Sequence, residues 1–321
     1  MTTSSKNVII LRTLISLCKN DKKLPHLFYD LGYTQLLIDQ TVRLPDNRTV
    51  EPDLIISSRQ QNHSIVWESK SGRNIENDQA KKLAQITATM FREQMMLNVN
   101  TDEGFVFDVA YACDETQSQN IRVDLDRLSS ELAVIGNFPV VGCSESKLTK
   151  HGGGFNNSSI DTAFTSGIGI DLSEIPVAYL PFDRYSSLSE IAPFVVRSIV
   201  SYVTSQEARF SSEQIAKESY GAGWEYIKSN RTKNEIVNNV EKVLNEGVRN
   251  ELRGYLSKPG RGKIRSPKWQ LSYSNVKGGA YPAGRLKKLQ KLCKEFVNRL
   301  RIEESGQKQL RLPLFLEDEP I

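Results

Sequence analysis

The spacing of hydrophobic residues in the first sixty positions changes from helical to strand-like. Apolar side chains recur every three or four residues over 8–31, which predicts a helix or helix pair broken near Pro25 and closed by Gly32. Strand-like spacing follows over 34–44, and after a Pro-Asp-Asn-Arg turn a second short run covers 52–57. We therefore expect opening helices followed by an antiparallel hairpin.

Helical and strand-like segments alternate through the rest of the first half. The pattern predicts a strand over 64–70, a helix over 77–98, a strand over 105–112, a helix over 123–134 and a strand over 138–143. This order predicts an α/β domain over residues 1–150.

The second half is mainly helical. Gly152-Gly153-Gly154 and its polar neighbours predict a mobile loop or insertion inside a connection over 151–185. The remaining pattern predicts helices over 188–205, 211–216, 232–253 and 284–300, a basic loop over 258–263 and a short strand over 269–273. Helix, helix, basic loop and strand is the layout of a winged-helix module, so we expect a domain of that kind over 186–300.

Composition places the chain among soluble globular proteins. Of its 321 residues, 39% are hydrophobic and 25% charged, and no uncharged apolar run could span a bilayer. The apolar run over 8–18 contains Arg12 and lacks a cleavage site, which favours a core helix over a signal sequence. Four widely separated cysteines predict reduced, structural thiols, and we expect a cytoplasmic protein without a membrane partner.

Positive charge is concentrated near the end of the chain. Between Arg253 and Arg299 there are thirteen Lys and Arg residues and one acid, Glu295. A solvated helix face is the ordinary interpretation, but such faces usually mix acids with bases. We therefore predict a DNA-binding surface. Its central residues are Arg261, Lys263, Arg265 and Lys268.

Three charged residues are predicted to meet on one face of the sheet. Asp53 begins one strand, and Glu68 and Lys70 stand two apart on the next, so strand periodicity points all three to one side. Two carboxylates on otherwise apolar strands repel unless a cation lies between them. We therefore predict a Mg²⁺ or Mn²⁺ site where Lys70 orients or deprotonates a metal-bound water.

This arrangement resembles the PD-(D/E)xK superfamily of restriction-endonuclease-like nucleases. The motif stands as Pro52-Asp53 and Glu68-Ser69-Lys70, and the resemblance covers residues 8–145. It implies a restriction-endonuclease-like fold with a central mixed sheet flanked by helices. It also implies that Asp53, Glu68 and the Ser69 carbonyl bind metal and that Lys70 is catalytic. Gln79, in the first turn of the next helix, matches a glutamine that some members carry.

Two points about this motif stay open in the sequence. Many relatives carry a further acid on the first helix, and Asp30 and Asp39 are both candidates for it. The ordinary alternative is a surface hairpin with an unremarkable Glu/Lys pair, because the bare pattern is short. The predicted strands, the following helix and the later basic domain favour the nuclease interpretation.

The end of the chain, 301–321, is expected to be a polar tether carrying a docking peptide. Gln309 to Phe315 resembles the bacterial sliding-clamp-binding peptide. The matching residues are Gln309, Leu310, Leu312, Leu314 and Phe315. The alternative is that 312–316 packs back on the body as a terminal strand.

Together these features predict a metal-dependent DNA endonuclease recruited through the bacterial replication clamp, in repair, mobile-element or anti-phage defence. A homodimer is one arrangement that would cut both strands. Two rivals remain: a catalytically inactive DNA- and clamp-binding adaptor, and a transposition or recombination nuclease that is active only with a partner.

Overall fold

The structure, a computed structural model, describes residues 5–72, 75–132, 138–258, 269–272 and 283–310. These residues form two compact units. The sheet unit consists of Ser4–Pro181 and Tyr220–Lys233. The helical unit contains Phe182–Ser219 and the described residues from Asn234 onward. Among the described residues, no helix is long and apolar enough to cross a membrane.

A seven-stranded mixed sheet forms the centre of the sheet unit. The strands of this unit are β1 (Tyr33–Ile38), β2 (Val42–Arg43), β3 (Thr49–Val50), β4 (Leu54–Ser58), β5 (His63–Lys70), β6 (Val106–Asp114), β7 (Val140–Cys143), β8 (Lys147–Gly152) and β9 (Ile168–Gly169). The order across the large sheet is β1-β4-β5-β6-β7-β8-β9, and β2 pairs with β3 in a separate ribbon. The β5/β6 and β6/β7 pairs are parallel, and the other neighbours are antiparallel.

Helices flank this sheet. The sheet unit contains α1 (Lys6–Ser16), α2 (Leu27–Asp30), α3 (Asn77–Leu83), α4 (Ala88–Glu93), α5 (Ser118–Leu132) and α6 (Ser158–Ser166). One face packs through aromatic rings, where Trp67 of β5, Phe28 of α2 and Phe164 of α6 contact one another. The opposite face packs against α3, α4 and α5 through an aliphatic cluster that includes Val66 and Leu83. Both faces of the central strands are therefore buried, as their nearly continuous apolar sequence requires.

The opening helices and the central strands confirm the predicted α/β order. In α1, Arg12 is buried and its Nε donates to the Leu180 carbonyl at 3.0 Å, so the apolar run over 8–18 is a core helix. Burial lowers the pKa of Arg12 to about 10. All four cysteines are buried and free, as the sequence predicts.

Three predicted elements were wrong in detail. The strand over 34–44 ends at Ile38, because Asp39 has a left-handed backbone with φ of 50°. The helix over 77–98 is two short helices, since Thr87 between them is extended with φ of −117°. Of the expected loop at Gly152–Gly154, Gly152 is the end of β8, while Gly153 and Gly154 lie in the irregular segment after it. α6 and β9 follow within the predicted connection.

The helical unit combines four helices with a small sheet. Its elements are α7 (Leu188–Thr204), β10 (Arg209–Phe210), α8 (Ser212–Tyr220), α9 (Asn230–Arg249), β11 (Leu256–Ser257), β12 (Trp269–Leu271) and α10 (Ala283–Leu310). The last residue of α8 and residues 230–233 at the start of α9 are part of the sheet unit. The three strands are antiparallel in the order β10-β12-β11. The indole N–H of buried Trp269 donates to Glu241 of α9 at 2.9 Å and to Ser212 of α8 at 3.2 Å. These bonds tie the small sheet to two helices.

The last helix is longer than predicted. We expected a helix over 284–300 followed by a polar tether, but α10 continues to Leu310. Its sequence beyond Arg301 is rich in Glu, Gln and Lys, which are good helix formers. Arg299 and Glu303 also form an i,i+4 ion pair of 2.8 Å on its surface. Local helix propensity therefore extends α10 through a segment whose polarity alone favoured a tether.

Candidate functional site

Adjacent strands bring Asp53 and Glu68 together. Asp53 immediately precedes β4, and the pairing of Leu54 with Trp67 places Asp53 across from Glu68 on β5. Side chains alternate along a strand, so Glu68 and Lys70 share the face that carries Val66. The antiparallel turn between β4 and β5 thus brings residues 15 positions apart to the same end of the sheet.

Polar contacts connect the predicted residues directly. The ammonium Nζ of Lys70 lies 2.9 Å from Oε1 of Glu68. Gln79 of α3 donates from Nε2 to Oε2 of the same carboxylate at 3.3 Å. The Ser69 backbone N–H donates to Oδ2 of Asp53 at 2.7 Å. The structure therefore places all five residues expected at the site in one contiguous cluster.

Burial shapes the electrostatics of the two acids. Desolvation raises the pKa of Asp53 well above its usual value, and the charges of Glu68 and Asp39 raise it further. Desolvation also raises the pKa of Glu68, against the opposing effect of Lys70. Burial lowers the pKa of Lys70, but the charge and hydrogen bond of Glu68 outweigh it, so the net shift is upward. A positive charge between the carboxylates would favour ionisation of both.

The structure distinguishes the two acids left open by the sequence. Asp30 lies on α2, and its Oδ2 pairs with Nδ1 of His26 at 2.8 Å on an exposed surface. Asp39 is buried just after β1, and its backbone N–H donates to the Asp53 carbonyl at 3.2 Å. Its carboxylate is also one of the charges that raise the Asp53 pKa. Asp39 is therefore the acid that belongs to this cluster.

One residue of the site was missed by the sequence analysis. Tyr111 of β6 pairs in register with Glu68 and is fully buried. Desolvation raises its pKa well above the usual value, and Glu68, Asp53 and Glu76 raise it further. A tyrosine within an apolar strand carries no spacing signal of its own. Only the parallel register of β6 on β5 brings it to the carboxylates.

The ligand set available for a cation is made of oxygen atoms. Asp53 and Glu68 supply two carboxylates, and the Ser69 carbonyl faces the β4 side because N–H and C=O of one strand residue point to the same neighbour. In the described part of the chain, no three or more His, Cys, Asp and Glu side chains are arranged to hold a metal ion. Two carboxylates and a carbonyl match the harder cations Mg²⁺ and Mn²⁺.

The other predicted site residues lie largely outside the described structure. Arg261, Lys263, Arg265 and Lys268 are outside the described residues. So are Leu312, Leu314 and Phe315. Gln309 and Leu310 fall in the last two backbone positions of α10.

Part of the positive charge near the chain end is used inside the helical unit. The Arg299 guanidinium lies 2.7 Å from Glu251 and 3.3 Å from Glu246. Arg285 stacks over the Tyr255 ring at 5.3 Å and donates to the Ser272 carbonyl. Not all thirteen bases are therefore available to an external polyanion.

The fold and the cluster define an α/β protein with a mixed sheet that carries an Asp-Glu-Lys group at one end of its central strands. The sequence model of the MJECL32 domain matches residues 6–180, which is more than half of the chain. The protein therefore belongs to the MJECL32 domain family. No curated protein and no solved structure matches the chain.

Proposed function

We propose that this protein is a Mg²⁺- or Mn²⁺-dependent DNA endonuclease with a PD-(D/E)xK site. The observation that supports this most strongly is the placement of Asp53 opposite Glu68, with Lys70 in direct contact with Glu68. An ordinary surface Glu/Lys pair would be solvated, whereas the Glu68 side chain here is 5% exposed and the Lys70 side chain 16%. Burying two acids side by side is costly, and a bound cation would remove that cost.

The surroundings of the cluster agree with a restriction-endonuclease-like core. The PD-(D/E)xK resemblance implies a central mixed sheet flanked by helices, and the motif lies on two central strands of such a sheet. The helix that follows the motif strand contributes Gln79 to the Glu68 carboxylate, at the position where some members of the superfamily carry glutamine.

Asp53, Glu68 and the Ser69 carbonyl would hold the cation. When bound, the cation would polarise a phosphoryl oxygen and lower the pKa of a coordinated water. Gln79 fixes the Glu68 carboxylate through Oε2, and the Ser69 N–H fixes Asp53 through Oδ2. Lys70 reaches the same end of the sheet and is positioned to orient the attacking water or to stabilise charge on the phosphoryl group.

The helical unit supports a DNA-binding role. Its order of α7, β10, α8, α9, β11 and β12 places a three-stranded antiparallel sheet beside a group of helices, as in a winged helix. The basic segment 259–268 lies between β11 and β12 in the sequence, where a winged helix carries its wing. We propose that Arg261, Lys263, Arg265 and Lys268 hold the DNA backbone there.

Recruitment through a bacterial replication clamp completes the proposal. It rests on the peptide Gln309 to Phe315, which begins at the end of α10. Docking to a clamp that encircles DNA would raise the local concentration of the enzyme at its substrate.

Plasmid cleavage tests the catalytic part of this proposal. The purified chain is incubated with supercoiled plasmid and Mg²⁺ or Mn²⁺, with an excess of chelator as the metal-free control. We expect metal-dependent nicking or linearisation, reduced at least about 100-fold by Lys70→Ala, because a positioned acid-base group contributes about 10²–10⁴-fold. Asp53→Ala should abolish it.

Lys150→Ala is the matched control for Lys70→Ala. Lys150 is another partly buried lysine of the sheet unit, 13% exposed, and its Nζ lies 2.5 Å from Asp161. Its loss should leave cleavage intact. Cleavage that survives both Lys70→Ala and Asp53→Ala would refute the site. Absence of cleavage on every DNA substrate would favour the adaptor, and cleavage that requires an added partner protein would favour the recombination nuclease.

A further inference from the structure

The hydroxyl of Tyr111 is a buried polar atom without a hydrogen-bond partner among the described residues. The side chain is fully buried, and its ring packs on Phe138 with a centroid distance of 6.2 Å. Buried hydroxyl groups are almost always hydrogen-bonded in native proteins, because leaving one unpaired loses its interaction with water. An unpaired hydroxyl therefore calls for an explanation at this position.

The register of three neighbouring strands places Tyr111 on the same face of the sheet as the acidic cluster. Glu68 pairs with Tyr111 across the parallel β5/β6 contact, and Asp53 lies opposite Glu68 across the antiparallel β4/β5 contact. Asp53, Glu68 and Tyr111 thus form one row across the face of the sheet. The charges of Glu68, Asp53 and Glu76 all act on the phenol.

A packing role does not account for the hydroxyl. The aromatic ring fills the aliphatic cluster together with Val66 and Val109, and phenylalanine would fill the same space. Phe105 and Phe107 near the start of β6 show that this strand accommodates phenylalanine. What distinguishes Tyr111 from phenylalanine is its hydroxyl, carried by the residue that pairs in register with Glu68.

We propose that Tyr111 is a positioning residue whose hydroxyl hydrogen-bonds a water coordinated by the cation between Asp53 and Glu68. This inference rests on the proposed metal site. A phenol can accept a hydrogen bond from a coordinated water and donate one to a coordinated hydroxide, so a single group serves both forms.

Tyr111→Phe tests the inference because it removes only the hydroxyl. In the absence of metal, the variant should unfold at the same temperature as the unmodified chain or higher, since it loses an unsatisfied polar atom. Its Mn²⁺ affinity, measured by titration calorimetry without DNA, should fall about 10-fold, in the range for loss of an outer-shell partner. The pH dependence of its cleavage should also shift.

Tyr33→Phe is the matched control. Tyr33 is also fully buried in this sheet, but its hydroxyl lies 2.6 Å from Nδ1 of His63. Its loss should lower the unfolding temperature and leave Mn²⁺ affinity unchanged. Equal Mn²⁺ affinity and equal pH profiles for Tyr111→Phe and the unmodified chain would overturn the Tyr111 inference alone. If the unmodified chain does not bind Mn²⁺ or Mg²⁺, the metal site and the Tyr111 inference both fail.

Discussion

Asp53 and Glu68 are held in a setting that disfavours their charged forms. Both acids are desolvated, they repel each other, and Asp39 adds a third negative charge near Asp53. The Ser69 N–H and Lys70 compensate only in part, because the net pKa shift of both acids is upward. Groups arranged in this way are common at functional sites, where binding of a ligand relieves the conflict.

Asp53→Asn should stabilise the metal-free protein at neutral pH. The folded-state pKa of Asp53 lies above its usual value of 3.8, so the folded chain binds more protons between these two values and its stability falls as the pH rises through that window. Asparagine does not ionise and avoids this loss, while its side-chain oxygen can still accept from the Ser69 N–H. Thermal unfolding at several pH values measures the difference.

The expected difference in unfolding temperature between the two proteins depends on pH. The unmodified chain and Asp53→Asn should unfold at similar temperatures near pH 3, where Asp53 is protonated in both states. The variant should be the more stable one at pH 7, and Mg²⁺ should stabilise only the unmodified chain. If the variant is less stable at pH 7 without metal, ionised Asp53 stabilises the folded protein, and the prediction is wrong.

The residues that carry this site divide into those that spacing predicts and those that it does not. Strand periodicity and the motif predict Asp53, Glu68 and Lys70, because these residues lie on two strands that are adjacent in both the sequence and the sheet. Asp39 was one of two candidates for the further acid, and spacing could not choose between them. A left-handed backbone at Asp39 ends its strand early, and the pattern of apolar residues does not reveal this. Tyr111 joins the site only through a parallel pairing across 43 positions, Glu68 with Tyr111, for which periodicity gives no register.

At the scale of elements, the predictions succeeded where strands are buried on both faces. β4, β5, β6 and β7 each contain an uninterrupted apolar stretch, such as Leu54-Ile55-Ile56 in β4 and Ile65-Val66-Trp67 in β5, and this hydrophobicity identifies them without knowledge of their neighbours. β8 was missed because its sequence, Lys147 to Gly152, is polar and half-exposed between β7 and the short β9. Its place in the sheet is set by pairing rather than by its own pattern.

The segment directly after β8 can be tested for a fixed backbone conformation. Gly153 has φ of +68°, and a Cβ atom added to it would lie 2.3 Å from the backbone carbonyl oxygen of Phe138. Gly153→Ala should therefore destabilise the protein by about 1–3 kcal/mol or more, the cost of a strained backbone at such a position. Denaturant unfolding measures it.

Gly154 is the matched control for this substitution. A Cβ added there would meet only Asp161 Oδ1, at an ordinary contact distance of 3.8 Å. Gly154→Ala should change the free energy of unfolding by less than about 1 kcal/mol. If Gly153→Ala were equally harmless, the segment would be a loose loop, as its glycine content first indicated.

At the scale of the whole molecule, the basic segment between β11 and β12 is expected to determine DNA affinity. Arg261→Ala combined with Lys263→Ala should weaken binding to any DNA sequence and lower the slope of log K against log salt by about 2, since each phosphate contact contributes about 0.9. Binding isotherms at four or more salt concentrations measure the slope.

Lys22→Ala combined with Lys23→Ala gives a control of equal charge. Both lysines are exposed in the sheet unit, far along the sequence from the basic segment. This double substitution should leave the salt slope unchanged. If the two double substitutions lower the salt slope equally, DNA affinity depends on the overall charge of the protein and not on the proposed wing.

The final segment is expected to separate recruitment from catalysis. Leu314→Ala combined with Phe315→Ala alters the two apolar residues at the end of the clamp-like peptide and lies beyond α10, which ends at Leu310. Because buried apolar anchors dominate peptide docking, affinity for a bacterial sliding clamp should fall at least about 30-fold, the effect of losing about 2 kcal/mol. Cleavage of naked plasmid should not change, since the proposed metal site lies entirely within the sheet unit.

Binding to surface-immobilised clamp measures the affinity, and Asp318→Asn in the acidic end serves as the control. An unchanged affinity would favour the alternative in which residues 312–316 pack on the protein itself, while a parallel loss of plasmid cleavage would show that the tail supports the fold or the site.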